Sequence, residues 1–140
     1  MSCIFCDILA GRQEATFVYR DARLAAFMDI QPVNPGHLLV IPRQHIAGLA
    51  DLPAEVGAWM FTLAQTLSAA LRRSGLKCEG VNLFLADGEV AMQEIFHVHL
   101  HVIPRFCGDG FGLRFAANYE QRPPREALED AAARIRGSIA

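Results

Sequence analysis

Hydrophobic and polar positions change period several times along the chain, and each change marks an element. Residues 4–10, closed by Gly11, suit one or two helical turns. Residues 17–20 and 23–29 read as a β-hairpin turning near Asp21 and Ala22. Two prolines and an Asn-Pro-Gly between Gln31 and Gly36 force a turn, after which residues 37–41 form a nearly continuous apolar strand stopped by Pro42. Val56, Trp59, Met60, Leu63, Leu67, Ala70 and Leu71 then recur at spacings of three and four, one apolar stripe on a helix. Asp51 is the expected N-cap, Pro53 and Glu55 suit the first turn, Arg72 and Arg73 the last, and Gly75 ends it. Residues 81–86 read as a strand, Asp87-Gly88 as a turn, and residues 95–103 as a longer strand stopped by Pro104. A glycine-rich loop follows at 107–112. It matches no phosphate-binding fingerprint and reads as a turn. Pro123-Pro124 precede a last helix over about 124–136. The order predicts an α+β domain, an antiparallel sheet of about five strands with one main helix packed on it. Residues 1–140 are expected to be a single domain with its core at about 3–111.

Composition narrows the function classes. The 140 residues are 52% hydrophobic and 20% charged, which excludes a disordered chain. A net charge of −2 offers no long-range attraction for nucleic acid or acidic membranes, so neither is expected as a partner. No apolar run approaches the roughly 20 residues of a membrane helix. The first residues lack the basic start and apolar stretch of a secretion signal, which predicts a cytoplasmic location. The four cysteines then read as reduced thiols or metal ligands.

The chemistry concentrates at His97, His99 and His101. On a strand they share one face, and Val98, Leu100 and Val102 take the other. At a strand's rise the outer pair have Cα atoms about 13 Å apart and neighbours about 6.6 Å apart. The row is therefore either a two-histidine metal site with a bystander or a row in which each imidazole has its own task. A neutral imidazole can attack phosphorus, carry the group as a phosphoramidate and release it on hydrolysis. That chemistry wants the nucleophile in the centre.

His-x-His-x-His followed by Val102-Ile103 resembles the signature of the histidine triad family of nucleotide hydrolases and transferases. Phe27-Met-Asp-Ile30, Pro35-Gly-His-Leu-Leu-Val-Ile-Pro42, His45, Asn82 and Gln93 are similar to family landmarks in family order, and Pro104-Arg-Phe-x-Gly-Asp-Gly-Phe111 resembles the short bacterial members. The resemblance implies an α+β fold and a homodimer whose sheets join across the interface. It also implies cleavage at the α-phosphate of a nucleoside phosphate, phosphoramidate or dinucleoside polyphosphate through a nucleotidyl-histidine. Carried over residue by residue, His99 is the nucleophile, with His97, His101 and His37 lining or orienting the triad. Asp29 matches the acceptor of the ribose hydroxyls, and Phe5, Ile8, Phe27 and Ile30 match the residues that sandwich the base. Asn82, Gln93 and Glu94 complete the expected nucleotide contacts, with a purine nucleotide such as AMP as ligand. Magnesium (Mg2+) could accompany a polyphosphate substrate. The chain departs from the family pattern at Ala86, Met92 and Glu94, where an amide, a glycine and a hydroxyl are frequent. An ionised Glu94 aimed inward would repel a phosphate.

A Cys3-x-x-Cys6 pair adds a second constellation. A subset of the bacterial members resembles this chain in holding zinc (Zn2+) through such a pair, the histidine of a Pro-x-x-His segment and the first triad histidine. Here those are Cys3, Cys6, His45 and His97. Four protein ligands close a tetrahedral site, which implies a structural ion. Two other readings stand beside the hydrolase: a nucleotide-binding or interaction module with little turnover, and a hydrolase using two triad histidines on a catalytic zinc.

Overall fold

The computed structural model describes residues 2–140, which form two compact units, one ending at Gly110 and one spanning Phe111–Ala140. In the first, helix α1 (Ile4–Leu9) precedes strands β1 (Phe17–Arg20), β2 (Leu24–Met28) and β3 (Leu38–Pro42). Helix α2 (Ala54–Arg73), strand β4 (Gly80–Phe84) and strand β5 (Leu100–Arg105) follow. The strands form one antiparallel sheet in the order β1-β2-β3-β5-β4.

Strand alternation sorts the core onto two faces. Leu24, Ala26, Leu38, Val40 and Val102 meet Met60, Leu63, Ala64, Leu67 and Leu71 of α2. Full burial of one such large apolar side chain contributes about 1.5–3 kcal/mol. Ala25, Phe27, Leu39 and Ile41 point the other way and pack with Phe5 and Ile8 of α1. His101 lies opposite Leu39 and Phe84 in the sheet register, so it belongs to this second face. The sheet thus separates a main core under α2 from a smaller one, under α1, where the histidines gather.

The second unit carries helix α3 (Arg125–Arg136), which has no buried residue and an Asp130–Arg134 ion pair along its length. Phe115 and Tyr119 stack ahead of it, with ring centroids 3.9 Å apart.

Several boundaries differ from the sequence expectation. Asp51 does not cap α2; it ends a 3₁₀ turn, Leu49–Asp51, and α2 starts after Pro53. Leu52, restricted by the proline after it, is extended at φ −78° and ψ 116°, which breaks the helix there. The strand expected over 95–103 is β5, Leu100–Arg105; residues 95–99 make no sheet ladder. Val98 donates its N–H to Ile46 O at 2.7 Å, outside any strand pairing. Pro104 lies inside β5, opposite Val81, and Pro42 is the last residue of β3. β4 is likewise shifted, ending at Phe84 short of the expected Ala86.

One glycine is decisive for the site. Gly36 has φ +102°, and a Cβ there would lie 3.0 Å from Leu71 Cδ2 and 3.1 Å from Leu76 Cδ1. Only glycine lets the turn pass this close to α2 and deliver His37 to the head of β3.

Candidate active site and metal centre

Four donors from three stretches of chain converge beside α1. Cys3 and Cys6 stand one helical turn apart, so both sulfurs face the same side. The Nδ1 atom of His97 is 3.5 Å from Cys3 Sγ and 3.7 Å from Cys6 Sγ, and His45 Nδ1 is 3.4 Å from Cys6 Sγ. All four ligand atoms lie within 4.8 Å of one another. For a tetrahedral ion with Zn–S about 2.3 Å and Zn–N about 2.05 Å, the S···N edge is about 3.6 Å, so the spacing fits a zinc site. The imidazole chemistry agrees. His97 is fully buried and its Nε2–H donates to Pro42 O at 2.7 Å, which leaves the Nδ1 lone pair facing the sulfurs. Burial, and then Cys3 beside it, raise the Cys6 thiol above its ordinary value, a crowding that a divalent cation relieves.

The same residue connects this cluster to the rest of the triad. His97 has both ring nitrogens engaged away from His99 and His101, so its ring does not take part in a row of three. Its carbonyl does, accepting Nδ1–H of His99 at 2.8 Å. His99 therefore carries its proton on Nδ1 and a lone pair on Nε2. Its ring is held edge-on to Phe5, with centroids 5.2 Å apart.

His101 is set up the opposite way. The backbone N–H of Val33 donates to His37 Nδ1 at 2.9 Å, so the proton of a neutral His37 sits on Nε2. That nitrogen is 2.9 Å from His101 Nδ1, which must accept, and the His101 proton is left on Nε2. Asp29 Oδ2 is a second acceptor, 3.4 Å from His37 Nε2. Burial lowers the pKa of His37 against the pull of Asp29. Burial first, then His99 and His37, lower that of His101 to about 4. Both rings are neutral near pH 7. His99 and His101, with centroids 5.0 Å apart, thus present a lone pair and an N–H side by side.

Asp29, His37 and His101 are the other grouping of possible metal donors among the described residues. The Val33 hydrogen bond leaves His37 no lone pair on Nε2, so this trio is a hydrogen-bond network.

The remaining residues expected at the site fall into two groups. Phe5, Ile8 and Phe27 are buried together, whereas Ile30 is 94% exposed. Asp29 Oδ1 accepts the N–H of Gln31, and Oδ2 faces the histidines. Gln93 is buried, and its amide is used within the loop: Oε1 accepts from Gly88 N–H, and Nε2 donates to Ala47 O and Ile95 O. Asn82 Oδ1 accepts from Arg105 at 2.6 Å. Glu94 is exposed. Met92, where glycine is frequent in the family, is the one non-glycine residue with positive φ among those described, at +72°. The orienting groups that sequence reasoning missed, Val33 N–H and the carbonyls of Pro42 and His97, belong to the backbone and leave no mark in residue type.

Comparison with known proteins gives the family. A family model described as HIT domain matches residues 10–108. The crystal structure of a HIT family member from Bacillus subtilis superposes with a TM-score of 0.88 at 35% identity, over 100% of this chain and 99% of that one. A Zn-bound histidine triad family protein from Mycobacterium smegmatis superposes with a TM-score of 0.77 at 38% identity, covering 99% of each chain. An adenylylsulfatase of Arabidopsis thaliana is 34% identical over 103 residues, 74% of this chain and 52% of its own length.

Proposed function

Because the chain belongs to the HIT domain family, we propose that it is a nucleotide hydrolase or transferase that cleaves purine nucleoside phosphates, phosphoramidates or dinucleoside polyphosphates at the α-phosphate. The pairing of a lone pair at His99 Nε2 with an N–H at His101 Nε2 carries this reading. His99 Nε2 forms a bond to phosphorus as the leaving group departs with the electron pair of the breaking bond and takes up a proton from solvent. The His101 N–H donates to a phosphoryl oxygen. Positive charge that develops on His99 is met by the His97 carbonyl at Nδ1. Water then attacks phosphorus and gives up a proton to solvent, the P–N bond breaks with its electron pair returning to Nε2, and the neutral imidazole is regenerated. Asp29 and Ile30 are assigned to the ribose and base, and the buried Phe5, Ile8 and Phe27 to the wall behind the base. The expectation of magnesium rests on the substrate alone.

Zinc is assigned to Cys3, Cys6, His45 and His97, which would hold it with a filled shell. When bound, it cross-links the start of the chain to the segment that precedes β5. This assignment draws on the spacing of the donors, and the relative from M. smegmatis that is Zn-bound supports it. It leaves no coordination position for an activated water, which counts against catalytic zinc.

We assign the partner as a second copy of this chain, joined through β4. That strand is an edge of the sheet, and Leu83 and Phe84 on it are exposed.

The hydrolase reading is tested by turnover of an adenosine phosphoramidate and an adenosine polyphosphate by the parent and by His99→Ala. Activity should fall by about 10³-fold or more in the variant. Equal rates would remove His99 from the chemistry. Departures such as the exposed Glu94 favour a second reading, a binding module: tight AMP binding with negligible turnover of either substrate by the parent.

A further inference from the structure

The turn that carries Val33 and His37 is anchored by the end of β5 that lies beside it, where β3 and β5 run antiparallel. Asn34 is buried, and its Nδ2 donates to Pro104 O at 2.8 Å and to Asp109 Oδ2 at 2.9 Å. The Asp109 side chain is only 3% exposed. It accepts from Arg105 twice, Nε to Oδ2 at 2.6 Å and Nη2 to Oδ1 at 2.9 Å, and from Phe106 N–H at 3.3 Å. Arg105 spends its remaining arm on Asn82. Asn34 in turn accepts His37 N–H through its carbonyl at 3.0 Å, which closes the turn.

An ion pair buried on one side only is a poor source of stability, because desolvation of Asp109 offsets much of its attraction. Its geometry is what the site can use. We propose that Asn34, Asp109 and Arg105 are positioning residues that fix the proton positions on His37 and His101, an inference that rests on the hydrolase reading for its catalytic consequence. The chain of effects is short. Asp109, accepting only, holds the amide of Asn34 with its NH₂ inward. Asn34 holds the turn, and the turn aims Val33 N–H at His37 Nδ1. If that donor swings away, His37 is free to carry its proton on Nδ1. Its Nε2 then accepts from His101 Nδ1–H, and His101 Nε2 presents a lone pair. Two lone pairs, on His99 and His101, would then face the phosphoryl oxygens, and the hydrogen bond that favours attack becomes a repulsion. The tautomer of the reacting pair is thus set by residues that touch no substrate.

The experiment compares the parent, Asn34→Ala and Asp109→Asn by two-bond ¹H–¹⁵N correlation spectra of the imidazoles at pH 7.5, alongside kcat and KM. In the parent, His37 and His101 should both show the Nε2–H pattern. In the variants the pattern should move toward Nδ1–H at both rings, with kcat down about 10- to 100-fold and KM little changed. Circular dichroism identifies variants that fold; Asp109→Asn, which keeps the shape but replaces one accepting oxygen with a donor NH₂, serves if Asn34→Ala does not. Folded variants whose kcat falls while both tautomers stay in place would overturn the inference, as would variants that change neither. The spectra need no turnover. A tautomer shift in the variants with an inactive parent would support the positioning role and sink the hydrolase reading instead.

Discussion

Two neighbouring imidazoles hold opposite protonation patterns because different backbone groups claim their Nδ1 atoms. The His97 carbonyl takes the proton of His99, and Val33 N–H, acting through His37, denies one to His101. The sequence makes the three histidines legible as a group by their spacing. That the first also belongs with the cysteines came from the family resemblance and not from spacing, because it depends on where Pro42 O and two sulfurs lie. Gln93 and Asn82 were likewise visible as polar residues in the right order, yet their amides are engaged within the protein. At this scale the account predicts how stability follows pH. A histidine whose folded pKa is depressed binds fewer protons folded than unfolded. Stability is therefore intact above the ordinary value near 6.5 and falls as pH drops toward the folded value. For His101, at about 4, the full shift corresponds to about 3 kcal/mol. Partial exposure to solvent reduces that to about 1–2 kcal/mol. Urea midpoints of the metal-free protein between pH 7.5 and pH 4.5 should fall, and less steeply in His101→Asn.

Among the elements, α1 and the segment ahead of β5 are the two whose conformations depend on the site. α1 is six residues long, too short to hold its shape alone, and only Phe5 and Ile8 on it are buried. Residues 95–99 were expected in a strand because hydrophobic and polar positions alternate there. The alternation does report the faces, with Val98 in the main core and the histidines opposite. The ladder is missing because this stretch is tied to Ile46 and the cysteine cluster instead. The hairpin β1–β2, the stripe of α2 and the bounds of α3 were legible, since each is fixed by local periodicity and turn residues. A metal that stitches α1 to residues 45 and 97 has a specific consequence. Chelation should speed amide hydrogen exchange over Ile4–Leu9 and lower the melting temperature, and leave exchange in α2 nearly unchanged below the transition. Turnover measured at low temperature should outlast the metal. Loss of turnover before any change in exchange would favour a catalytic ion.

For the molecule as a whole, a sheet with β4 at one edge and exposed Leu83 and Phe84 there leaves surface for a second chain. Sedimentation equilibrium should give twice the 15.4 kDa chain mass for the parent, and Leu83→Asp should shift the population toward the monomer. Among the described residues, no helix is long and apolar enough to cross a membrane. The family and the architecture could be read from residue order, because spacing encodes them. Tautomers and buried braces could not, because they arise where distant backbone groups meet. The central claim is that His99 carries the nucleotidyl group between two steps of one reaction. Intact mass spectrometry after millisecond acid quench, with an adenosine phosphoramidate as substrate, tests it most directly. The account predicts a transient mass increase equal to one adenylyl group on the parent, mapped to His99 and absent from His99→Ala. Turnover by the parent with no adduct at any quench time, or an adduct that persists in His99→Ala, would contradict it.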